Sequence, residues 1–175
     1  MYKFEKGEKE MIEVGIIQNK FHIFHFKHME HILTAKMRCK KLIIGISDPE
    51  TKEPFSYYER MSMISDSLKE FGLKREEFEI VPFPMGEPEK LSLYAPLEST
   101  VFMSDYDEKS EQECEVLEHQ NFKVKVLWRK SEEEEKITEK EIKTCILNGE
   151  EWKQFVPKIV YEYAVSHDIK SRLAE

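Results

Sequence analysis

The chain is poor in the residues that break or staple a fold. Six glycines and seven prolines in 175 residues exclude a collagen-like or low-complexity polymer. The three cysteines, Cys39, Cys114 and Cys145, lie far apart, and no CxxC is present. That pattern excludes a disulfide framework and points to reduced thiols in a cytoplasmic protein. No apolar run approaches the roughly 20 residues that span a bilayer, so no membrane partner is expected. The first ten residues are mostly charged and lack the apolar core of a signal peptide. An excess of positive charge is missing too: 35 acidic residues against 27 basic ones leave a net charge of −8. Broad nucleic-acid binding is therefore not expected, although a local basic pocket can still hold a mononucleotide.

What is present suffices for one ordinary domain. Apolar residues make up 40% and charged residues 35%, enough for a core under a heavily solvated surface. Residues 1–11 read as a solvated lead-in to a single domain over 12–175. Nearly consecutive apolar residues predict strands over Glu13–Gln18, Lys41–Ser47, Phe78–Phe83, Thr100–Met103 and Phe122–Leu127. Between them, helices are expected over His28–Arg38, after a Ser56/Glu59 capping box, and after a Ser110/Glu113 pair of the same spacing. The second helix should pack through Met61, Ile64, Leu68 and Phe71 and stop at Gly72. A further helix over Thr138–Leu147 and a last one from Pro157 to about Leu173 complete the chain. Strands alternating with helices at about 30-residue spacing predict a doubly wound, Rossmann-like α/β domain: about five parallel strands with helices on both faces. Such sheets bind ligands at the carboxyl ends of their strands.

The segment Asn19-Lys20-Phe21-His22-Ile23-Phe24-His25-Phe26-Lys27-His28 falls at that position, between the first strand and the first helix. A helix start with free N–H groups beside cationic side chains favours phosphate. Two other readings of its histidines stay open. His22, His25, His28 and His31 recur every three residues and are ligand types for zinc, yet the carboxylate or cysteine partners of a zinc motif are not evident. The recurrence is otherwise coincidental, with His31 a surface residue. Later, Ile137-Thr138-Glu139-Lys140-Glu141-Ile142-Lys143 offers a capping box, Thr138 with Glu141. A phosphate at the same helix start would meet the Thr138 hydroxyl, backbone N–H groups, and Lys140 or Lys143. Trp128 and Trp152 read as packing residues, Glu132–Glu135 as a solvated run of like charges, and Arg60 as a helix surface residue.

Taken together these motifs resemble nucleotidylyltransferases of the HxGH superfamily, most of all the archaeal-type nicotinamide-nucleotide adenylyltransferases. The segment Asn19–His28 is similar to the family's GRFQPFHxGH, with both histidines and both phenylalanines in place. Leu42-Ile43-Ile44-Gly45-Ile46-Ser47, then Glu53-Pro54-Phe55-Ser56 and Glu59-Arg60-Met61-Ser62-Met63-Ile64, resemble its second strand and the loop and helix after it. Ile137–Lys143 resembles the ISxTEIR motif, and Asn148–Trp152 with Phe155-Val156-Pro157 its continuation.

The resemblance implies transfer of a nucleotidyl group from a nucleoside triphosphate, with Mg²⁺, to a small phosphorylated acceptor. It implies His25, His28 and Lys143 as catalytic residues on the phosphates. Asn19, Lys20, Phe21, Lys27, Gly45, Thr138 and Lys140 would bind nucleotide, and Asp48 and Tyr94 the acceptor; no residue is implied as a ligand to a resident metal. Family members are often homo-oligomers. Lys27 stands where the family has glycine, and Glu139 and Lys140 where it has a small residue and threonine. Lys143 replaces arginine, keeping the charge but losing the bidentate fork. ATP as donor and nicotinamide mononucleotide as acceptor are the family default. A cytidylyltransferase, another adenylyltransferase, or a non-catalytic nucleotide-binding descendant are the alternatives.

Overall fold

Alternation along the two central strands sets the two faces of the sheet. In β1 (Ile12–Asn19) and β2 (Cys39–Ser47), Ile17, Leu42, Ile44 and Ile46 enter one core, and Ile16 and Ile43 enter the other. Consecutive side chains on a strand point to opposite faces, so both faces are buried. The computed structural model describes residues 11–83, 86–103, 108–127 and 138–174. Trp128, Ile137, the Glu132–Glu135 run and nearly all of the expected lead-in lie outside the described residues.

Five parallel strands stand in the order β3-β2-β1-β4-β5, with β3 at Phe78–Phe83, β4 at Thr100–Met103 and β5 at Lys123–Val126. One face carries α1 (Phe26–Lys36) and α2 (Tyr57–Phe71), together with α4 (Glu139–Asn148), α5 (Lys158–Ser166) and α6 (Ile169–Ala174). The other carries α3 (Glu108–His119) and the 3₁₀ segment Pro88–Leu93. The strand order reverses between β1 and β4, which places a topological switch point at the carboxyl end of β1. Gly15 makes that pairing close: a Cβ there would stand 2.5 Å from the Phe102 ring and 2.8 Å from Cys39 Sγ.

Four expectations need correction. The stripe of α2 is Arg60, Met63, Ile64, Ser67 and Leu68, whereas Phe71 is exposed because Gly72 turns the chain in the left-handed region directly after it. Arg60 is thus buried, not a surface residue. α3 starts at Glu108, so Ser110 lies inside the helix instead of capping it. The last helix is two: Asp168 adopts φ +49°, and its carboxylate takes the Ser171 hydroxyl at 2.7 Å, starting α6 afresh. Trp152 packs as expected, 4.8 Å from the Tyr161 ring centroid.

Candidate active site

Six residues join β1 to α1. Asn19 Oδ1 accepts the Lys20 N–H at 2.7 Å, and Phe21 takes a left-handed φ of +51°. The Phe21 ring turns into the core, 5.0 Å edge-on from His28 and 5.9 Å from Phe24, so its side chain faces protein and not solvent. His25 is the extended residue before α1, and its carbonyl accepts the Met29 N–H at 3.1 Å. Its imidazole stacks on that of His28 with centroids 3.7 Å apart. Both rings are buried, as is His31, which corrects its surface reading. Burial, then the charges of His25, His31 and Lys27, hold His28 well below the ordinary imidazole value, so it is neutral at neutral pH. Its Nδ1 is buried without a hydrogen-bond partner. Lys27 is half-buried and Lys20 exposed at the rim of the turn.

At the start of α4, Thr138 Oγ1 accepts the Glu141 N–H at 3.3 Å and the Glu141 carboxylate accepts the Thr138 N–H at 2.6 Å. The capping box read from the spacing is there. Lys143 pairs with Glu139 one turn away at 2.8 Å, while Lys140 is exposed. His22 belongs to the turn and feels the charges of this helix. Its Nε2 is buried without a hydrogen bond, 3.7 Å from the Asp48 carboxylate. Burial lowers its pKa and Arg60 and Lys143 push the same way, while Glu139 and Asp48 oppose them. One imidazole from the β1–α1 turn thus feels charges from the β2–α2 loop, from α2 and from the first turn of α4. Residues of the second motif thus act electrostatically on an imidazole of the first.

Beside this cluster lies a cavity of about 580 Å³ at the switch point, lined by Gln18, Asn19, Lys20, Ser47, Phe83 and Glu113 among others. Gln18 Nε2 donates to Glu113 at 2.8 Å, and Gln18 Oε1 is buried without a donor. Gly45 sits mid-sheet beneath it; a Cβ there would come within 3.3 Å of Gln18 and 3.5 Å of Phe83. Tyr94 packs edge-on at 5.7 Å against Phe83, which lines the cavity. Asp48 lies on the imidazole side, accepting the Thr51 hydroxyl at 2.5 Å. Asn19 and Lys20 are thus the residues shared by the cavity and the imidazole turn, whereas His25, His28, Thr138 and Lys143 lie outside the cavity wall.

Sequence reasoning missed two residues at this site. His22 stood only in a histidine period, and nothing marked it as the member facing α4. Arg60 had a usable signal: it precedes Met63, Ile64 and Ser67 at three, four and seven residues, which is the core-facing spacing of α2.

No protein-family model matches the chain. It is 27% identical to a phosphonoformate cytidylyltransferase of Streptomyces viridochromogenes, over 94% of this chain and 97% of the relative. It is 26% identical to a nicotinamide-nucleotide adenylyltransferase of Saccharolobus solfataricus, over 92% and 95%. The fold matches a bifunctional NMN adenylyltransferase/ADP ribose pyrophosphatase of Francisella tularensis with a TM-score of 0.72 at 17% identity, covering 94% of this chain and 53% of that one. The chain therefore spans about half the length of that bifunctional protein. In sequence the chain is thus similar to a cytidylyltransferase and to archaeal nicotinamide-nucleotide adenylyltransferases, and it shares the fold of the Francisella protein.

Proposed function

We propose that this protein transfers a nucleotidyl group from a nucleoside triphosphate to a small phosphorylated acceptor and releases pyrophosphate. The electrostatic link between the imidazole turn and the α4 start at His22 carries this reading, because each is a helix start that favours an anion. An acceptor oxygen attacks the α-phosphorus, a new P–O bond forms, and the bond to the β-phosphate oxygen breaks. No covalent enzyme intermediate is needed, so catalysis consists of alignment and charge stabilisation. His28, being neutral, contributes a hydrogen bond and not a full charge. The charge comes from Lys143, once phosphate replaces Glu139 as its partner, and from Lys20 and Lys27. The acceptor occupies the switch-point cavity, whose rim carries Asn19 and Lys20.

Among the described residues no group of three or more His, Cys, Asp or Glu is placed to hold a metal ion. Mg²⁺ enters this reading as part of the substrate, coordinated by phosphate oxygens and water, which suits its preference for oxygen ligands.

ATP and nicotinamide mononucleotide are the donor and acceptor of this reading. A second reading, CTP with a phosphonate acceptor, is favoured by the similarity to the phosphonoformate cytidylyltransferase along nearly all of both chains. Pyrophosphate release measured with ATP or CTP, each with nicotinamide mononucleotide or phosphonoformate, separates the two. Release with one pair, abolished in His25→Ala and His28→Ala, supports the proposal. Wild-type rates in both variants contradict the catalytic assignment, and no release with any pair contradicts the activity.

A further inference from the structure

Among the described residues Arg60 is the largest side chain to be almost wholly enclosed, at 1% exposure. A buried guanidinium needs its five N–H donors satisfied, normally by carboxylate. Here the partners within hydrogen-bond distance are backbone carbonyls from separate segments. Nη1 donates to the carbonyls of Lys20 at 2.7 Å and Ser47 at 3.1 Å. Nη2 donates to those of Asp48 at 2.7 Å and Thr51 at 3.4 Å. Nε donates to the Ser56 carbonyl at 3.4 Å. One side chain thus holds the β1–α1 turn and the β2–α2 loop together from a position 40 residues beyond Lys20.

The captured carbonyls adjoin unusual backbone. Lys20 precedes Phe21 at φ +51°, and Asp48 itself stands at φ +56°. The left-handed region is uncommon for any residue with a side chain and unfavourable by roughly 1–2 kcal/mol for a bulky one such as phenylalanine. Such conformations persist where surrounding contacts over-determine them, and they cluster at functional sites. Both lie in loops that carry proposed site residues: Asn19 and Lys20 on one, Asp48 on the other.

We infer that Arg60 is a positioning residue: its fork clamps the two loops in their left-handed conformations and so fixes Lys20 and Asp48 relative to each other before substrate arrives. The consequence for catalysis rests on the function proposed above; the clamp itself does not. A lysine keeps the charge but offers one nitrogen where the fork offers three. It cannot reach the Lys20 and Asp48 carbonyls with the same geometry.

Hydrogen exchange of Arg60→Lys, followed by mass spectrometry, reads the clamp without any assay of activity. Amides in 18–24 and 47–52 are expected to exchange at least about tenfold faster than in the wild type, while those of α5 keep wild-type protection. In the same protein kcat/KM for pyrophosphate release should fall by about a hundredfold, the size of effect that an ångström of misplacement brings. Arg60→Gln is read in the same way if the lysine variant does not fold. Wild-type exchange in either loop, uniform acceleration through the whole chain, or failure of both variants to fold overturns the clamp. Loosened loops with unchanged kcat/KM overturn its role in catalysis. A wild-type protein that releases no pyrophosphate contradicts the proposed function alone, and the exchange result still decides the clamp.

Discussion

His28 is held uncharged by its own neighbours, and this governs what the imidazole pair can do. Stacked on His25 at 3.7 Å and closed in by Phe21 and Phe24, it is buried away from the solvent that would stabilise a cation. In the proposed reaction its contribution would be a directed hydrogen bond, and removing one such donor from developing charge typically costs about 10²–10³ in kcat. His28→Ala should lose that much kcat in a pyrophosphate-release assay while KM changes little. Glu139 acts in the opposite sense. It occupies Lys143 and places a carboxylate in the cluster around His22. Glu139→Gln should therefore lower the nucleotide KM several-fold, measured by initial rates; a raised KM would show that Glu139 orders Lys143 more than it competes for it. The sequence makes His25, His28 and Thr138 legible because each belongs to a local pattern. His22 is not legible in that way, since its meaning depends on a contact 26 residues away, and the spacing of Arg60 marks its burial but not the carbonyl it holds 40 residues away.

Among the elements, strands were easiest to read because both faces of a parallel sheet are buried and its strands form apolar runs. Phe78–Phe83 and Thr100–Met103 have the bounds their composition implies. Helix ends were legible where a side chain caps them, as at Ser56 and Thr138, and not where only the backbone turns. The division of the last helix at Asp168 is an instance: the apolar period continues through it, and the Asp168–Ser171 hydrogen bonds override it locally. Two substitutions test how firmly elements are placed. Gly15→Ala should destabilise the fold by about 1–3 kcal/mol in urea unfolding, because the added Cβ meets the Phe102 ring and Cys39. Thr138→Ala should cost about 1 kcal/mol through loss of the cap. It should also weaken nucleotide binding, since the same hydroxyl faces the phosphate site of the proposed reading.

At the scale of the whole molecule, Glu59 fastens the C-terminal helices to the sheet layer. It closes the capping box of α2 with one oxygen at 2.8 Å from the Ser56 nitrogen. Its other oxygen accepts from Arg172 at 2.7 Å and from the Tyr163 hydroxyl at 3.0 Å. Burial opposes its ionisation, but these hydrogen bonds prevail and hold its pKa at about 2, below the ordinary 4.5. The unfolded chain therefore takes up a proton at Glu59 as pH falls through 4.5, whereas the folded protein resists until about 2. His28 and His22 act with the same sign: they protonate near 6.5 when unfolded and resist when folded. Stability should thus be full above pH 7 as far as these groups are concerned, begin to fall below about 6.5, and fall again below 4.5. Denaturant unfolding at a series of pH values checks this, and His28→Phe should flatten the upper of the two declines. The overall topology was legible because the alternation of strands and helices leaves few connections open. The burial of the imidazole pair and the nearness of the α4 charges to His22 were not, since both are set by packing between distant segments.

The most direct measurement follows amide resonances of the isotope-labelled protein during titration with a non-hydrolysable, magnesium-bound nucleoside triphosphate. A single polyphosphate site formed by both motifs predicts that resonances of Lys20–His28 and of Thr138–Lys143 shift together along one saturation curve. Shifts confined to one of the two segments, or separate curves for each, would contradict it.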